Sequence, residues 1–316
     1  MVKNLSPKAK KNKPKYRFPR LSEKIAGLNN FSDYRNPLNK VGYGLMILLL
    51  IVFSLIALAP ILWLFFSSMK TVTELNSAHY HLFPQEWDWN KIVTLWNKFD
   101  FTRYYLNTFV YVLGAMGCAV LFNAILGYAM AILKPFGYKM IDKLIFLGYM
   151  IPAILNIFPL LMEIKALGFL NPETESYLTY LPLWLAYGAN AYYYMLFKDY
   201  FEKLPSSLLE AAQMDGGGRM TVFFRVALPL ARPMIGIVAI FAMTASYSDF
   251  LLPYLLLNNE KYQTLMVGIY RVSGTTTLDA SEFLLLLVLS IIPQVLIFLI
   301  FQKKIMGAGA NTGSKE

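Results

Sequence analysis

Six stretches of the chain are apolar for long enough to cross a bilayer, at roughly residues 43–68, 106–132, 143–164, 177–198, 234–257 and 282–302. A helix of about 20 apolar residues is stable in hydrocarbon because it satisfies every backbone N–H and C=O internally. The pattern predicts an all-α, polytopic membrane protein with six transmembrane helices. The polar connections alternate in charge. Lys134, Lys139 and Lys143 lie between the second and third stretches, Lys303 and Lys304 follow the sixth, and the third-to-fourth connection carries Glu173 and Glu175 instead. Cationic loops stay on the cytoplasmic side, so both termini are expected in the cytoplasm.

Composition sharpens this reading. The 316-residue chain is 57% hydrophobic and 15% charged, more apolar than the core of a soluble domain of that length requires. The net charge of +10 is concentrated at the start, where eleven of the 29 Lys and Arg residues fall between Lys3 and Lys40 against only Glu23 and Asp33. That polar, Pro-interrupted segment reads as a flexible cytoplasmic arm drawn to anionic membrane lipids, not to nucleic acid. It precedes the first span by too many residues to be an ordinary cleaved signal peptide. The expected organisation is a basic arm over 1–40, a first transmembrane helix and outer loop over 41–105, a membrane core over 106–304 and a glycine-rich, loose cytoplasmic tail over 305–316. The single cysteine, Cys118, excludes an internal disulfide. In the outer loop, Phe83-Pro84, Trp87, Trp89 and Trp96 are suited to the membrane interface. His79 and His81 stand two apart without a convincing third or fourth ligand nearby, so no metal site is expected.

The interior loop over 199–233, DYFEKLPSSLLEAAQMDGGGRMTVFFRVALPLARP, is unusually ordered for a connection. Pro205 suits the first turn of a helix, where its missing N–H is no loss. Leu208, Ala211 and Ala212 then fall at helical spacing and form one small apolar face, with Glu210 and Asp215 polar. Gly216 to Gly218 end that helix, since glycine takes the left-handed cap conformation freely. At about 11 residues and roughly 16 Å it is too short to cross a bilayer and needs a surface to dock on. A second amphipathic piece spans 220–228 before Pro229 and Pro233. Read from the residues alone, this is either a docking element for a cytoplasmic protein or a structured interfacial loop without a partner.

Glu210-Ala211-Ala212, then Gly216, then Val226 and Leu228-Pro229 closely resemble the EAA motif of binding-protein-dependent ABC importer permeases, with valine where isoleucine is common. Further segments resemble the carbohydrate branch of that family, the maltose, multiple-sugar and glycerol-phosphate type. They are Asn107-Thr108, Gly127-Tyr128-Ala129-Met130-Ala131, Ile151-Pro152, Phe158-Pro159, Leu167-Gly168-Phe169-Leu170-Asn171, Asp249-Phe250 with Pro253, and Ile292-Pro293 through Gly307. The likeness covers roughly 41–307. Tyr247-Ser248 replace the Trp-Asn frequent in that branch. The resemblance implies a type I importer permease fold and a transport subunit, not an enzyme, that pairs with a second homologous permease. It also implies an ATPase dimer and an extracellular or periplasmic sugar-binding protein as partners. Glu210, Ala211, Ala212, Asp215 and Gly216 would be the ATPase-contacting positions.

No GxxxxGK[ST] phosphate loop occurs, so no cofactor is expected in this chain, ATP and Mg being used by the partner ATPase. For the substrate path the polar groups inside spans come first, because polar side chains in hydrocarbon are costly. Asp249 leads, with Tyr247, Asn123, Asn156, Asn190 and Gln294 as hydrogen-bonding candidates. The alternative is that these groups bond one another between helices. Tyr187, Tyr192, Tyr193 and Tyr194 either stack on a sugar or pack. Two rival classes fit less well. A secondary transporter would show paired mid-membrane carboxylates and comparable halves. An enzyme built on Asp215-Gly216 would need further aspartates to hold metal.

Overall fold

The computed structural model describes residues 37–79, 81–169, 176–275 and 278–312, and every regular element among them is helical. The basic arm up to residue 36 and the acidic connection with Glu173 and Glu175 lie outside the described residues. The chain forms two compact units, Met1–Leu62 and Trp63–Glu316. In the first, α1 (Pro37–Met69) begins as an apolar helix whose side chains from Val41 to Leu62 are largely exposed. Its Ser54 hydroxyl donates to its own Leu50 carbonyl at 2.7 Å, which satisfies the polar group within the helix.

In the second unit α1 runs on to Met69, and α2 (Val72–Leu75) and α3 (Asn90–Lys98) form the following loop. Next come α4 (Phe101–Tyr128) with a π-helical extension Ala129–Leu133, α5 (Tyr138–Met150), α6 (Ala153–Ala166), α7 (Leu181–Gly188) and α8 (Ala191–Glu202). The loop carries α9 (Ser206–Met214), α10 (Arg219–Val222), a π segment Phe223–Ala227 and α11 (Leu228–Leu230). The remainder is α12 (Arg232–Ser248), α13 (Leu251–Leu256), α14 (Leu265–Thr275) and α15 (Ala280–Thr312).

Three helices, Lys40–Met69, Phe101–Leu133 and Ala280–Gln302, are each long and apolar enough to cross a membrane unbroken. The third expected span is two helices instead, Tyr138–Met150 and Ala153–Ala166, bent by 111°. The cause is local: a residue before proline is pushed out of the helical region, and Ile151 before Pro152 is extended at φ −75, ψ 127. The expected fourth span breaks too, into a 3-10 turn Tyr177–Tyr180, α7 and α8. At the break Asn190 caps α8, its side-chain oxygen accepting from the Tyr193 N–H at 3.1 Å. The fifth is bent by 77° at its start, between Arg219–Leu230 and Arg232–Ser248, and stops at Ser248 instead of running to 257. Asp249 is extended (φ −69, ψ 119), and Pro253 then sits in the first turn of α13, where a missing N–H leaves no bond unmade. At the far end α15 continues to Thr312, so the expected loose tail is helical over 305–312. No proline interrupts it there, so no N–H is missing from the helical ladder.

The second unit is built around α4. Ala115, Ala119, Asn123 and Gly127 recur at four-residue intervals along one face and are all buried. Small side chains let helix backbones approach closely, which is how helices associate where lipid removes the hydrophobic drive. A Cβ at Gly127 would lie 2.8 Å from the Phe197 Cβ and 2.9 Å from the Lys198 backbone nitrogen, so α8 rests directly on the α4 backbone. One cluster of buried side chains then runs from Ala119, Ala124 and Tyr128 of α4 through Phe197 and Phe201 of α8 to Val238 and Ala242 of α12.

Tyrosine hydroxyls satisfy backbone groups that helix breaks would leave unpaired. Pro293 inside α15 removes the N–H that would bond the Leu289 carbonyl, and the Tyr105 hydroxyl donates to that carbonyl at 2.6 Å. Asn107 donates to the carbonyls of Lys261 and Gln263 at 2.8 and 2.9 Å, and the Thr108 hydroxyl accepts from the Leu265 N–H at 2.8 Å. Two adjacent polar residues of α4 thereby pin the connection between α13 and α14, which holds a 3-10 turn Glu260–Tyr262.

Replacing Gly127 by valine should lower the stability of the detergent-purified chain by about 1–3 kcal/mol, the usual cost of overpacking. Gly117→Val, where a Cβ meets nothing within 4 Å, is the control and should leave the melting temperature unchanged in the same scanning-fluorimetry measurement.

Candidate functional site

The interior loop is ordered because its helix is rooted in the core. On α9, Leu209 is buried and joins the cluster of Tyr128, Phe197, Phe201, Val222 and Phe223, with Ala212 packed against it. This corrects the expected face. Leu209 and Ala212 point inward, whereas Leu208 is 47% exposed, Met214 is 88% exposed, and Glu210, Ala211 and Asp215 also face outward. Helical spacing alone cannot decide between two apolar stripes one residue apart, and the neighbouring aromatic side chains select Leu209. Pro205 stands just before the helix, at ψ 124, one position earlier than expected.

The end of α9 follows the expected chemistry in detail. Gly216 has φ +83, its N–H donates to the Gln213 carbonyl at 3.0 Å, and the Gly217 N–H donates to the Ala212 carbonyl at 3.1 Å. These two bonds form a Schellman cap that satisfies carbonyls the helix end leaves open. A Cβ on Gly217 would sit 2.6 Å from the Ala212 carbonyl oxygen. A π turn closes α4 at Ala129–Leu133 and another lies within the loop at Phe223–Ala227, and the Tyr128 and Phe223 rings that precede or open them pack at 5.0 Å. The Tyr200 hydroxyl donates to the Leu230 carbonyl at 2.7 Å and joins the start of the loop to its end. A cleft of about 500 Å³ opens beside α9, lined by Ala131, Lys134, Leu204, Ser206, Leu209 and Glu210 among others.

The polar residues proposed for a membrane path separate into two groups. Asp249, in the gap between α12 and α13, accepts from the Tyr111 hydroxyl at 3.0 Å, and the Tyr187 hydroxyl interacts with the same carboxylate. Ser248 beside it is exposed and hydrogen-bonds Gln294 at 3.5 Å. Phe241, Thr244, Ala245 and Ser248 form an exposed stripe at helical spacing on α12, and the exposed ring of Tyr192 packs on Phe241 at 6.1 Å. By contrast, Asn123 is 1% exposed and donates to the carbonyls of Ala119 and Tyr187 at 2.8 and 3.1 Å. Tyr247 is buried with its hydroxyl on the Ser290 carbonyl at 2.6 Å, and Asn190 is the α8 cap. Asn123 and Tyr247 thus tie α4 to α7 and α12 to α15, while Asn190 is engaged within its own helix. Asn156 lies exposed on α6. Tyr193 and Tyr194 are buried, so they pack, while Tyr192 stays open.

A third site was not signalled by any motif. Lys91 of α3 donates to the carbonyls of Ser68 and Lys70 at 2.9 and 3.2 Å, and to the Ser281 hydroxyl. It thereby joins the end of α1 to the start of α15, where a cation near a helix C-terminus also complements the helix dipole. Asp279 caps α15, accepting from the Glu282 N–H at 2.7 Å, and Glu282 reaches back to the Asp279 N–H at 3.4 Å, a capping box. Lys98 pairs with Glu282 at 3.2 Å. Burial pushes the Lys91 ammonium below the usual lysine value, against the pull of Asp279, Glu282 and Asp88. For Asp279 burial disfavours the charge, but the Glu282 N–H, the Ser281 hydroxyl and Lys91 outweigh it and hold the carboxyl below 3.8.

Comparison with known proteins places this architecture. The chain belongs to the family of binding-protein-dependent transport system inner membrane components, whose model matches residues 123–306. The diacetylchitobiose uptake system permease protein of Streptomyces coelicolor is 30% identical over 262 residues, 82% of this chain and 85% of that protein. The arabinooligosaccharides transport system permease protein of Bacillus subtilis is 26% identical over 259 residues, 81% of this chain and 90% of that one. A solved bacterial ABC transporter involved in import of the acidic polysaccharide alginate has the same fold. It matches with a TM-score of 0.73 at 21% identity, covering 85% of this chain and 98% of its counterpart. The chain is therefore a multi-pass inner-membrane permease subunit of an ABC importer, a class that works with ATPase and binding-protein partners.

Two consequences are measurable. Gly216→Val should strain the left-handed cap by about 1–2 kcal/mol and speed amide exchange over residues 213–217 by about fivefold or more, read by hydrogen–deuterium exchange mass spectrometry. Asp279→Ala should cost about 1 kcal/mol at neutral pH through the lost cap. The folded carboxyl lies below its unfolded value of 3.8, so its contribution is full above that value. The wild-type advantage in a thermal melt should therefore shrink as pH falls through the lower, folded value.

Proposed function

We propose that this chain is the permease subunit of a carbohydrate importer driven by separate ATPase subunits that engage α9. The observation that carries this reading is the outward face of α9. Leu208, Ala211 and Met214 recur every third residue on a short helix rooted by Leu209, with Glu210 beside them and a rigid glycine cap behind. A helix that presents an apolar stripe at this spacing is built to lie in a groove of another protein. Glu210, Ala211, Ala212, Asp215 and Gly216 form the coupling element, with Ala212 and Gly216 setting its packing and its end and Glu210 pairing with a basic residue of the ATPase. ATP and Mg belong to that partner.

The carbohydrate substrate is supported by the names of the relatives, which handle diacetylchitobiose and arabinooligosaccharides. Asp249, Ser248 and Thr244, with the rings of Tyr192 and Phe241, offer hydrogen-bond partners and flat apolar faces of the kind a sugar uses. A second, homologous permease closes this open stripe, and an extracellular or periplasmic binding protein delivers the sugar. Both termini and the α9 loop are cytoplasmic, in keeping with Lys134, Lys139, Lys303 and Lys304.

Purification of the tagged chain in mild detergent, for wild type and Glu210→Lys, tests the reading. Wild type should bring down an ATPase and a second permease, and the variant should retain the permease while ATPase recovery falls about tenfold or more. A wild-type chain that purifies alone and takes up solute without ATP would overturn it.

A further inference from the structure

We propose that Asp142 and Lys198 are the tie through which movement of the α9 loop reaches α5, making them positioning residues for gating. The proposal rests on the coupling role given to α9 above. It begins from how little else holds α5. None of its residues is buried, and Met140, Leu144, Phe146, Leu147 and Met150 are all exposed. Hydrophobic burial, the usual source of helix docking, is therefore not what fixes α5 to the rest of the unit.

Apart from the Tyr149 ring, which stacks on Tyr192 of α8 at 6.2 Å, what fixes it is polar and directional. The Lys198 ammonium donates to one Asp142 oxygen at 2.6 Å and the Tyr194 hydroxyl donates to the other at 2.6 Å. Both carboxylate oxygens are used, and both partners stand on α8. Tyr194 is buried, so its hydroxyl is a fixed point, and Lys198 is steadied by Glu202 at 3.5 Å. The side chains of Lys198 and Asp142 are 19% and 32% exposed, more sheltered than the Lys203–Asp199 pair at 72% and 64%. A charge-assisted pair in such surroundings is stronger and less screened than one in open water.

The connections at each end give the pair its mechanical meaning. Downstream, α8 ends at Glu202, four residues after Lys198, and α9 starts at Ser206, so a force on α9 enters α8 through three residues. Upstream, α8 is seated on Gly127 and cannot bend toward α4 without a clash. At its other end α5 meets α6 at 111° across Ile151-Pro152, where the helical hydrogen bonds stop. Thus α5 is a short lever, hinged at Pro152 and held near its start by Asp142. Between α5 and α8 lies a groove of about 440 Å³ lined by Phe146, Leu147 and Met195, which leaves α5 room to swing.

The test uses the assembled complex with its ATPases in lipid nanodiscs. Spin labels at Met140→Cys on α5 and Met162→Cys on α6, in a Cys118→Ser background, report the α5–α6 distance with and without ATP plus vanadate. The probe is nucleotide, so the sugar need not be known. In wild type the distance should change on nucleotide trapping. In Asp142→Asn and in Lys198→Met the change should vanish, with ATP hydrolysis kept within about twofold to threefold of wild type. The exchanged pair Asp142→Lys with Lys198→Asp should restore it in part, because the ion pair returns while the Tyr194 hydroxyl loses its carboxylate acceptor. A nucleotide-driven change that persists in both single variants would overturn the proposal. So would a wild-type distance that never moves while ATP is hydrolysed, or loss of assembly and hydrolysis in both variants that the exchange does not recover. A wild-type chain that binds no ATPase overturns the proposed function first, and this inference with it.

Discussion

The packing of α8 on the bare backbone of Gly127 is the contact on which the rest of the second unit depends. Helices in lipid gain little from excluding water, so they are held by close contact and by satisfied polar groups. Ala115, Ala119, Asn123 and Gly127 supply the first of these along α4, and Asn123 supplies some of the second by bonding the Tyr187 carbonyl. Because α8 lies so near α4, its aromatic side chains Phe197 and Phe201 reach past the end of the span and meet Leu209, Val222 and Phe223. The same buried cluster that holds the helices therefore anchors the cytoplasmic loop.

Continuity of that cluster explains how the nine-residue helix α9 can be rigid. Isolated helices of this length are marginal in water. Here α9 is fixed at three points, by Leu209 in the core, by the glycine cap at Gly216 and Gly217, and by the Tyr200–Leu230 bond that closes the loop. An element that is to carry force has to move as one body, and these contacts leave its outer face free for a partner.

The breaks in the helices are each chemically accounted for. Pro152, Asn190 and Asp249 mark interruptions in the third, fourth and fifth apolar stretches. Irregular backbone at membrane depth is tolerated where its polar groups find partners or line a cavity. Tyrosine meets this need in Tyr105 to Leu289 and Tyr180 to Tyr262, and Tyr247 to Ser290 and Trp184 to Tyr111 tie one helix to another. The abundance of tyrosine in a membrane chain, 21 of 316 residues, has here a structural purpose beyond any contact with sugar.

The sequence by itself determined the helical class, the apolar stretches, the glycine stop of α9 and the likeness to importer permeases. These depend on local composition, on backbone preferences of glycine and proline, or on a long fixed spacing. It also singled out Asp249, whose charge in an apolar run is conspicuous in any context. Only the tertiary structure decided that Leu209, and not Leu208, faces the core, that Asn123 and Tyr247 join helices, and that Asp142 meets Lys198 across 56 positions. It alone showed Lys91 joining the end of α1 to the start of α15. Leu209 is selected by the aromatic side chains it packs on, and the three polar findings share one physical reason. Whether a polar side chain is a tie or a site depends on which backbone carbonyls and charges lie within 3 Å of it, and distant segments supply those partners.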